Sequence, residues 1–286
     1  LSEVLVSEVS ASAAVFSIIG SRQLRPAALR STASIFKNFF FLQYKAALLP
    51  GRYPVSRADH RLDQKIPFRP DKVEIYLDFL HFFIRVQGFL IRTFGKKVHP
   101  QTRDFIAALG EVYKTAAAVY SKNFSTTNRP RYLSKLRFAV IHAFDPHLMC
   151  IPSLHVMVLI LTYTRFKKIT HDPELNTDPA IQHEIEAVRS HALAITEAVL
   201  YIKQHSVNCI SAAMYAMTRF DNNFPPEEAE AFAGSLFADA DDIPDMDKEE
   251  IRSYILGLYR QFLERGRDCP VWETPLLEFL DTLPKV

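Results

Sequence analysis

Three short segments of the chain combine residue types suited to handling phosphate. The first is Lys122-Asn-Phe-Ser-Thr-Thr-Asn-Arg129-Pro130, the second Cys150-Ile-Pro152-Ser153-Leu154-His155, and the third Lys203-Gln204-His205-Ser-Val-Asn208-Cys209. An arginine offers a planar fork that matches two phosphate oxygens, and a lysine adds a mobile point charge. Ser153 stands at an expected helix start, where free backbone N–H groups and a hydroxyl can hold an anion. Two histidines on separate helices can then divide phosphoryl transfer: one attacks phosphorus and the other protonates the leaving oxygen. Singly, each segment also has a plain structural reading. Lys-Arg-Pro suits a solvated loop, Pro-Ser is a common helix opening, and a histidine in an apolar helix is often satisfied within a core.

The elements that must position these segments read as helices. The chain has 286 residues, 48% hydrophobic, with 22 phenylalanines and 8 glycines. Neither a P-loop nor a Gly-x-Gly-x-x-Gly run occurs, which excludes nucleotide folds built on those loops. Apolar periodicity predicts helices over 71–94, 101–121, 131–144, 152–168, 181–202 and 203–219, the last two readable as one rod, then 227–237, 248–264 and 272–282. Asp71 is a candidate cap for the first of these, and Glu74, Asp78, His81, Arg85 and Arg92 make its polar stripe. Residues 51–70, with three prolines, read as an irregular connector. Residues 170–180 and 239–247 read as loops. The expectation is a single all-α domain over 1–286: an N-terminal helical wrap at 1–50, a core at 71–219 and C-terminal helices at 227–286.

The totals narrow the partners. Formal charge is +2, from 34 basic and 32 acidic residues, which gives no case for a nucleic-acid partner. It allows an anionic small substrate or peripheral membrane contact, and leaves the oligomeric state open. Cys150, Cys209 and Cys269 form neither a disulfide framework nor a zinc spacing, so a reducing compartment is compatible. The best candidate for a span, Leu148 to Thr164, carries no formal charge with His155 neutral but is shorter than the roughly 20 residues of a membrane span. It holds Pro152, Ser153 and His155 and reads as a buried helix, so the expectation is a soluble domain, cytoplasmic or at the membrane periphery.

The ordered combination of the three segments resembles the type 2 phosphatidic acid phosphatase and vanadium haloperoxidase superfamily. Lysine, six residues and Arg-Pro resemble its first signature, Pro-Ser-x-His its second, and a histidine some fifty residues on its third. Pro-Ser-Leu-His-Val, with Ile66-Pro67-Phe68 and Tyr76 upstream, is similar to the inositol-phosphoceramide and sphingomyelin synthase branch. The resemblance implies the family's helical-bundle fold and a metal-independent, cofactor-free phosphomonoesterase or phosphotransferase, on a lipid phosphate before a small soluble ester. It implies that His205 is the nucleophile, forming a phosphohistidine, and His155 the proton donor. Lys122, Arg129, Ser153 and the Leu154 N–H would bind phosphate.

The third signature departs from the family pattern. Ala198 and Val199 stand where members carry Ser-Arg, and Cys209 stands where an aspartate orients the histidine. Loss of that carboxylate frees the histidine tautomer. Asn208, Lys203 and Tyr201 are candidate partners, Tyr201 on the expectation that it shares a helical face with His205; Glu197, Arg165 and Arg189 are others. Three further readings stay open: a degenerate member that binds a phosphate-bearing or apolar ligand without turnover, a vanadium-dependent haloperoxidase, and a metal site among His142, His147, His155, His183, His191, His205 and Glu184. Cys150 and Cys209, close to the two histidines in sequence, are a candidate redox-sensitive pair.

Overall fold

The structure, a computed structural model, describes residues 5–49, 51–130, 132, 136–175 and 179–286. The fold is all-α and single-domain. Its centre is α7 (Leu154–Thr170), where thirteen of the seventeen residues are buried. A helix that is apolar around its whole circumference belongs inside a core, and α7 packs against α4 (Val73–Phe94), α5 (His99–Tyr120), α8 (Pro179–Tyr201) and α9 (Val207–Phe220). Among the described residues no helix is long and apolar enough to cross a membrane.

Residues 5–49 lie against this body. Helix α1 (Ala11–Gly20) lies on α4, and α2 (Arg25–Ile35) lies on α5. The α2 rod continues through a π-helical turn, Phe36–Phe41, into α3 (Leu42–Leu48). Helix α6 (Leu136–Phe144) covers one side of the site; residues 131 and 133–135 of the helix expected there, and 176–178 of the loop after α7, lie outside the described residues. At the C-terminal end α10 (Pro226–Gly234) and α11 (Asp245–Gly266) pack beside α9, and α12 (Thr274–Thr282) packs on α11.

Three expectations are corrected. Asp71 does not cap α4: it sits in a short 3-10 turn, Pro70–Lys72, and pairs with Arg69 at 3.0 Å. The segment read as a bare loop after Lys122 contains a strand. Here β2 (Phe124–Thr126) pairs in parallel with β1 (Val55–Arg57) from the proline-rich connector, Ser56 opposite Ser125. The 181–219 region is not one rod. Helix α8 ends at Tyr201, and Lys203 adopts the left-handed conformation at φ 59° that commonly follows a helix end. The Gln204 N–H then bonds back to the Val199 carbonyl at 2.9 Å. Ser206 caps the start of α9, so His205 lies in the turn between two helices.

Candidate active site

Two helix starts and one helix end deliver the histidines. Ser153 caps α7 through its hydroxyl, which accepts the Val156 N–H at 3.5 Å, and His155 follows on the first turn. The Ser153 N–H donates to the Cys209 carbonyl at 3.2 Å, which ties the start of α7 to the start of α9. His205, in the turn before α9, then meets His155: Nδ1 of His155 is 3.1 Å from Nε2 of His205. On its far side His155 Nε2 is 3.1 Å from the Tyr76 hydroxyl of α4.

Two proton arrangements of opposite direction satisfy this row, and the Cys150 backbone facing the His205 ring favours the following one. The Tyr76 O–H donates to His155 Nε2, His155 Nδ1–H donates to His205 Nε2, and His205 carries its proton on Nδ1. That Nδ1 is buried without a hydrogen-bond partner of good geometry, although the Cys150 backbone faces the ring. This is the atom that an orienting carboxylate would hold.

Both imidazoles are neutral at physiological pH. Burial pushes His155 down to about 4, with His147 adding to the effect and Asp145 opposing it. Burial also carries His205 well below its ordinary value, and the neighbouring imidazoles His155 and His147 push the same way. A position in the first turn of α7 disfavours a cation further, because the helix N-terminus is itself positive.

Beside the pair lies a second cluster. Arg129 Nη1 is 3.2 Å from Asp145 Oδ2 and 3.1 Å from Gln204 Oε1, and Nη2 donates to the Asp145 carbonyl. Asp145 also accepts the His147 N–H at 2.9 Å and the Gln43 amide at 3.2 Å. Burial by itself would raise the Asp145 carboxyl; His147 and Arg129 outweigh it and hold the group well below the usual carboxylate range. His147 is anchored in turn by Thr127, 2.6 Å from Nε2.

Tyr76, Asp145, His147, His155, Gln204 and His205 floor a cavity of about 340 Å³ whose walls are mostly apolar, Phe39, Phe40, Phe79, Tyr113, Ile141 and Met149 among them; Arg129 stands behind Asp145 and Gln204 and does not line it. Gln204 and His205 both line it, and both leave a buried nitrogen unpaired. His205 also lines a separate polar cleft of about 470 Å³, with Arg57, His60, Asp63, Asn128 and Lys203. An apolar chamber and a polar cleft therefore meet at one imidazole.

The other sequence candidates fall elsewhere. Lys122 is half exposed and bound to Glu273 at 2.7 Å, and it lines neither space. The Ser153 hydroxyl is spent as a helix cap, and the Leu154 N–H faces the Tyr120 oxygen, although Leu154 lines the apolar cavity. Tyr201 shares no helical face with His205, because α8 has ended; its hydroxyl donates to Asp242 at 2.7 Å. Lys203 donates to the Asp63 and Ile66 carbonyls. The Asn208 amide bonds the Ala58 carbonyl and the Tyr254 hydroxyl. The Cys209 thiol accepts the Ser206 N–H at 3.4 Å rather than meeting His205. Glu197, Arg165 and Arg189 bond the Phe237 N–H, Asp221 and Ser235 respectively, so none of them orients His205.

Cys150 and Cys209 are both buried and free, and burial pushes both thiols up. Among the described residues no group of three or more His, Cys, Asp or Glu side chains could hold a metal ion; His142 lies outside the described side chains. Sequence reading missed Tyr76 as a partner of His155, Gln204, and the role of Asp145, which read only as the stop of a helix. The chain matches no known protein family, no curated protein and no solved structure.

Proposed function

We propose that the protein transfers or hydrolyses the phosphoryl group of a phosphate monoester that carries an apolar chain, through His205 and His155. The observation that carries this reading is the 3.1 Å approach of His155 Nδ1 to His205 Nε2 on the floor of an apolar cavity. The order of the Lys-x6-Arg-Pro, Pro-Ser-x-His and distant histidine motifs supports it, as does the neutrality of both rings, since a nucleophilic imidazole needs a free lone pair.

In the first step the phosphate inserts between the rings. The His205 Nε2 lone pair forms the P–N bond and the ester P–O bond breaks; the leaving oxygen takes a proton from His155, which takes in its place the proton that a monoanionic phosphate ester carries, so the ring stays neutral overall. In the second, His155 takes a proton from water or an alcohol as it attacks phosphorus and hands it to the departing phosphate group, and the P–N pair returns to His205. The unpaired Gln204 amide supplies a hydrogen bond to the equatorial oxygens, and Arg129, bonded to Gln204 and Asp145, adds positive charge behind it. The apolar cavity takes the chain of the ester, and the polar cleft gives the acceptor a path to the phosphohistidine.

A second reading has its own observation. Arg129 carries Asp145 as counter-ion and Lys122 is bound to Glu273, which weakens the site for a dianion. On that reading the protein binds an apolar ligand with a polar head and does not turn it over. Phosphate release from a panel of monoesters, including lysophosphatidic and phosphatidic acid, separates the two. The assay contains a chelator and compares wild type with His205→Ala and His155→Ala. Release by wild type that both substitutions abolish supports the enzyme. Inertness of wild type with all esters and acceptor alcohols, together with retained lipid binding, overturns it in favour of the binder.

A further inference from the structure

The basic charge of the chain is not spread evenly. From Val9 to Ala58 there is no aspartate or glutamate and there are seven bases: Arg22, Arg25, Arg30, Lys37, Lys45, Arg52 and Arg57. The rest of the chain has 27 basic against 32 acidic residues, so the wrap is the positive end of a molecule that is otherwise mildly acidic. Among the described residues, only Arg57 of the seven has a carboxylate partner, Asp59 at 3.9 Å.

The same segment exposes its apolar side chains. The π-helical turn and α3 form an open groove of about 1040 Å³ lined by Phe36, Phe40, Phe41, Tyr44, Leu48 and the two lysines Lys37 and Lys45. Phe36 is 61% exposed, Phe41 67% and Leu48 78%, where a water-facing helix would present polar groups. Aromatic and leucine side chains on one face with flanking lysines are the pattern of a helix that lies in a membrane interface.

The groove is also continuous with the candidate active site. Phe40 lines both the groove and the cavity over His155 and His205, and the exposed Leu80 and Val140 line that cavity too. We infer that the Phe36–Leu49 face docks on a bilayer surface bearing anionic lipids, and that a lipid passes from the bilayer past Phe40 into the cavity over the two histidines. The passage of substrate rests on the function proposed above; the docking does not. Charge selects the occupant: a zwitterionic or uncharged apolar surface would use the phenylalanines but leave the uncompensated bases idle, whereas an anionic leaflet engages both.

The test is co-sedimentation of the full chain with phosphatidylserine-containing and with phosphatidylcholine-only vesicles, at low and high salt. Binding to the anionic vesicles that weakens with salt is expected. Lys37→Gln with Lys45→Gln should weaken it roughly 25-fold, from the usual gain per base near an anionic surface. Phe36→Ser with Phe41→Ser should also release the protein, and since both side chains are largely in water, its thermal unfolding should match wild type. Absence of vesicle binding, equal binding to both vesicle types, or binding unchanged in both double variants overturns the docking. Hydrolysis of a short-chain, water-soluble monoester is measured in parallel. Its failure in wild type with vesicle binding intact removes the proposed function and leaves the docking; its retention in the double variants, with turnover in vesicles lost, supports the passage.

Discussion

The Arg129 guanidinium rests on Asp145, 3.2 Å from Nη1 to Oδ2, while the same Nη1 reaches Gln204 beside His205. Arg129 is thus already paired and lines neither the cavity nor the cleft, so a phosphate must compete with a carboxylate for it. Asp145→Asn removes the competitor. Inorganic phosphate or vanadate should bind about tenfold tighter, the scale of one charge-assisted hydrogen bond. Without ligand the variant should lose about 3 kcal/mol, because Arg129 becomes a buried charge without its partner. Thermal unfolding with and without phosphate reads both effects: a lower midpoint alone, and a larger rise on adding phosphate than wild type shows. A variant with no gain from phosphate would remove Arg129 from the anion site.

Tyr76 acts on His155 from the side opposite His205. Its hydroxyl, driven well above its ordinary pKa by burial, stays protonated and donates to His155 Nε2 in the assigned arrangement. Tyr76→Phe leaves the ring packing and removes the bond that fixes the tautomer. The kcat of phosphate release should fall roughly 10- to 100-fold with KM nearly constant, as expected for a positioning hydrogen bond. The acid limb of the pH profile should shift as well, which a purely structural loss would not produce. A change confined to KM would speak against this role.

Both central imidazoles also make stability depend on pH. In the unfolded chain a histidine takes up its proton near pH 6.5; in the folded protein His155 does so only at about 4, and His205 is likewise held well below its ordinary value, because both are buried. As pH falls from 6.5 towards 4, the unfolded state binds protons that the native state refuses, so stability is full above this window and drains within it. The slope approaches 1.4 kcal/mol per pH unit for each such group, roughly. Thermal unfolding between about pH 7.5 and pH 4.5 should therefore show a steady fall in wild type and a shallower one in His155→Phe. Asp63 and Glu197, both raised by burial, act near the acid end and oppose the fall there. An identical slope in the variant would show that His155 is already protonated in the native state.

The helices were legible because burial writes itself into composition. The apolar run after Ser153 could only be a buried helix, and the Asp-Asn-Asn-Phe-Pro-Pro break after α9 is unmistakable. Motif order suggested that His155 and His205 belong together, and they stand 3.1 Å apart although fifty residues separate them. The environment of the pair was not legible. Tyr76 entered only as part of the upstream segment similar to the lipid synthase branch, with nothing to pair it with His155. Asp145 looked like a helix stop, and its bond to Arg129 depends on how the chain returns after Phe144. The turn at Lys203 was half legible: the expected boundary at 202/203 falls where α8 ends, but lysine is a poor signal for a left-handed residue, so the next helix was begun at 203 rather than after Ser206, and Tyr201 was given a helical face shared with His205 that does not exist.

The wrap owes its fixed position to two glycines, and this gives a test of whether it shapes the cavity. At Gly110 of α5 an added Cβ would stand 3.0 Å from the Ser31 Cα, backbone that cannot swing aside. The Ser34 hydroxyl donates to the Gly110 carbonyl at 2.8 Å and the Ser31 hydroxyl to the Ile106 carbonyl at 2.5 Å, so α2 sits directly on α5 at this point. Gly88 of α4 has the same relation to Ala14 of α1, with Val9 Cγ1 at 2.9 Å. Gly110→Ala should push α2 away and cost about 1–3 kcal/mol, the usual range for overpacking. The consequence reaches the site, since Phe39, Phe40 and Gln43 of the same continuous rod wall the cavity and Gln43 bonds Asp145. Limited proteolysis of Gly110→Ala should cut first within residues 5–49 while α4 to α12 stay protected. If the enzyme reading holds, KM should rise for a long-chain monoester and stay close to wild type for a short-chain one, because only the longer chain needs the wall. Equal effects on both esters would mean that the substitution reaches the histidines through the body of the protein, and that the wrap is no part of the chain-binding surface.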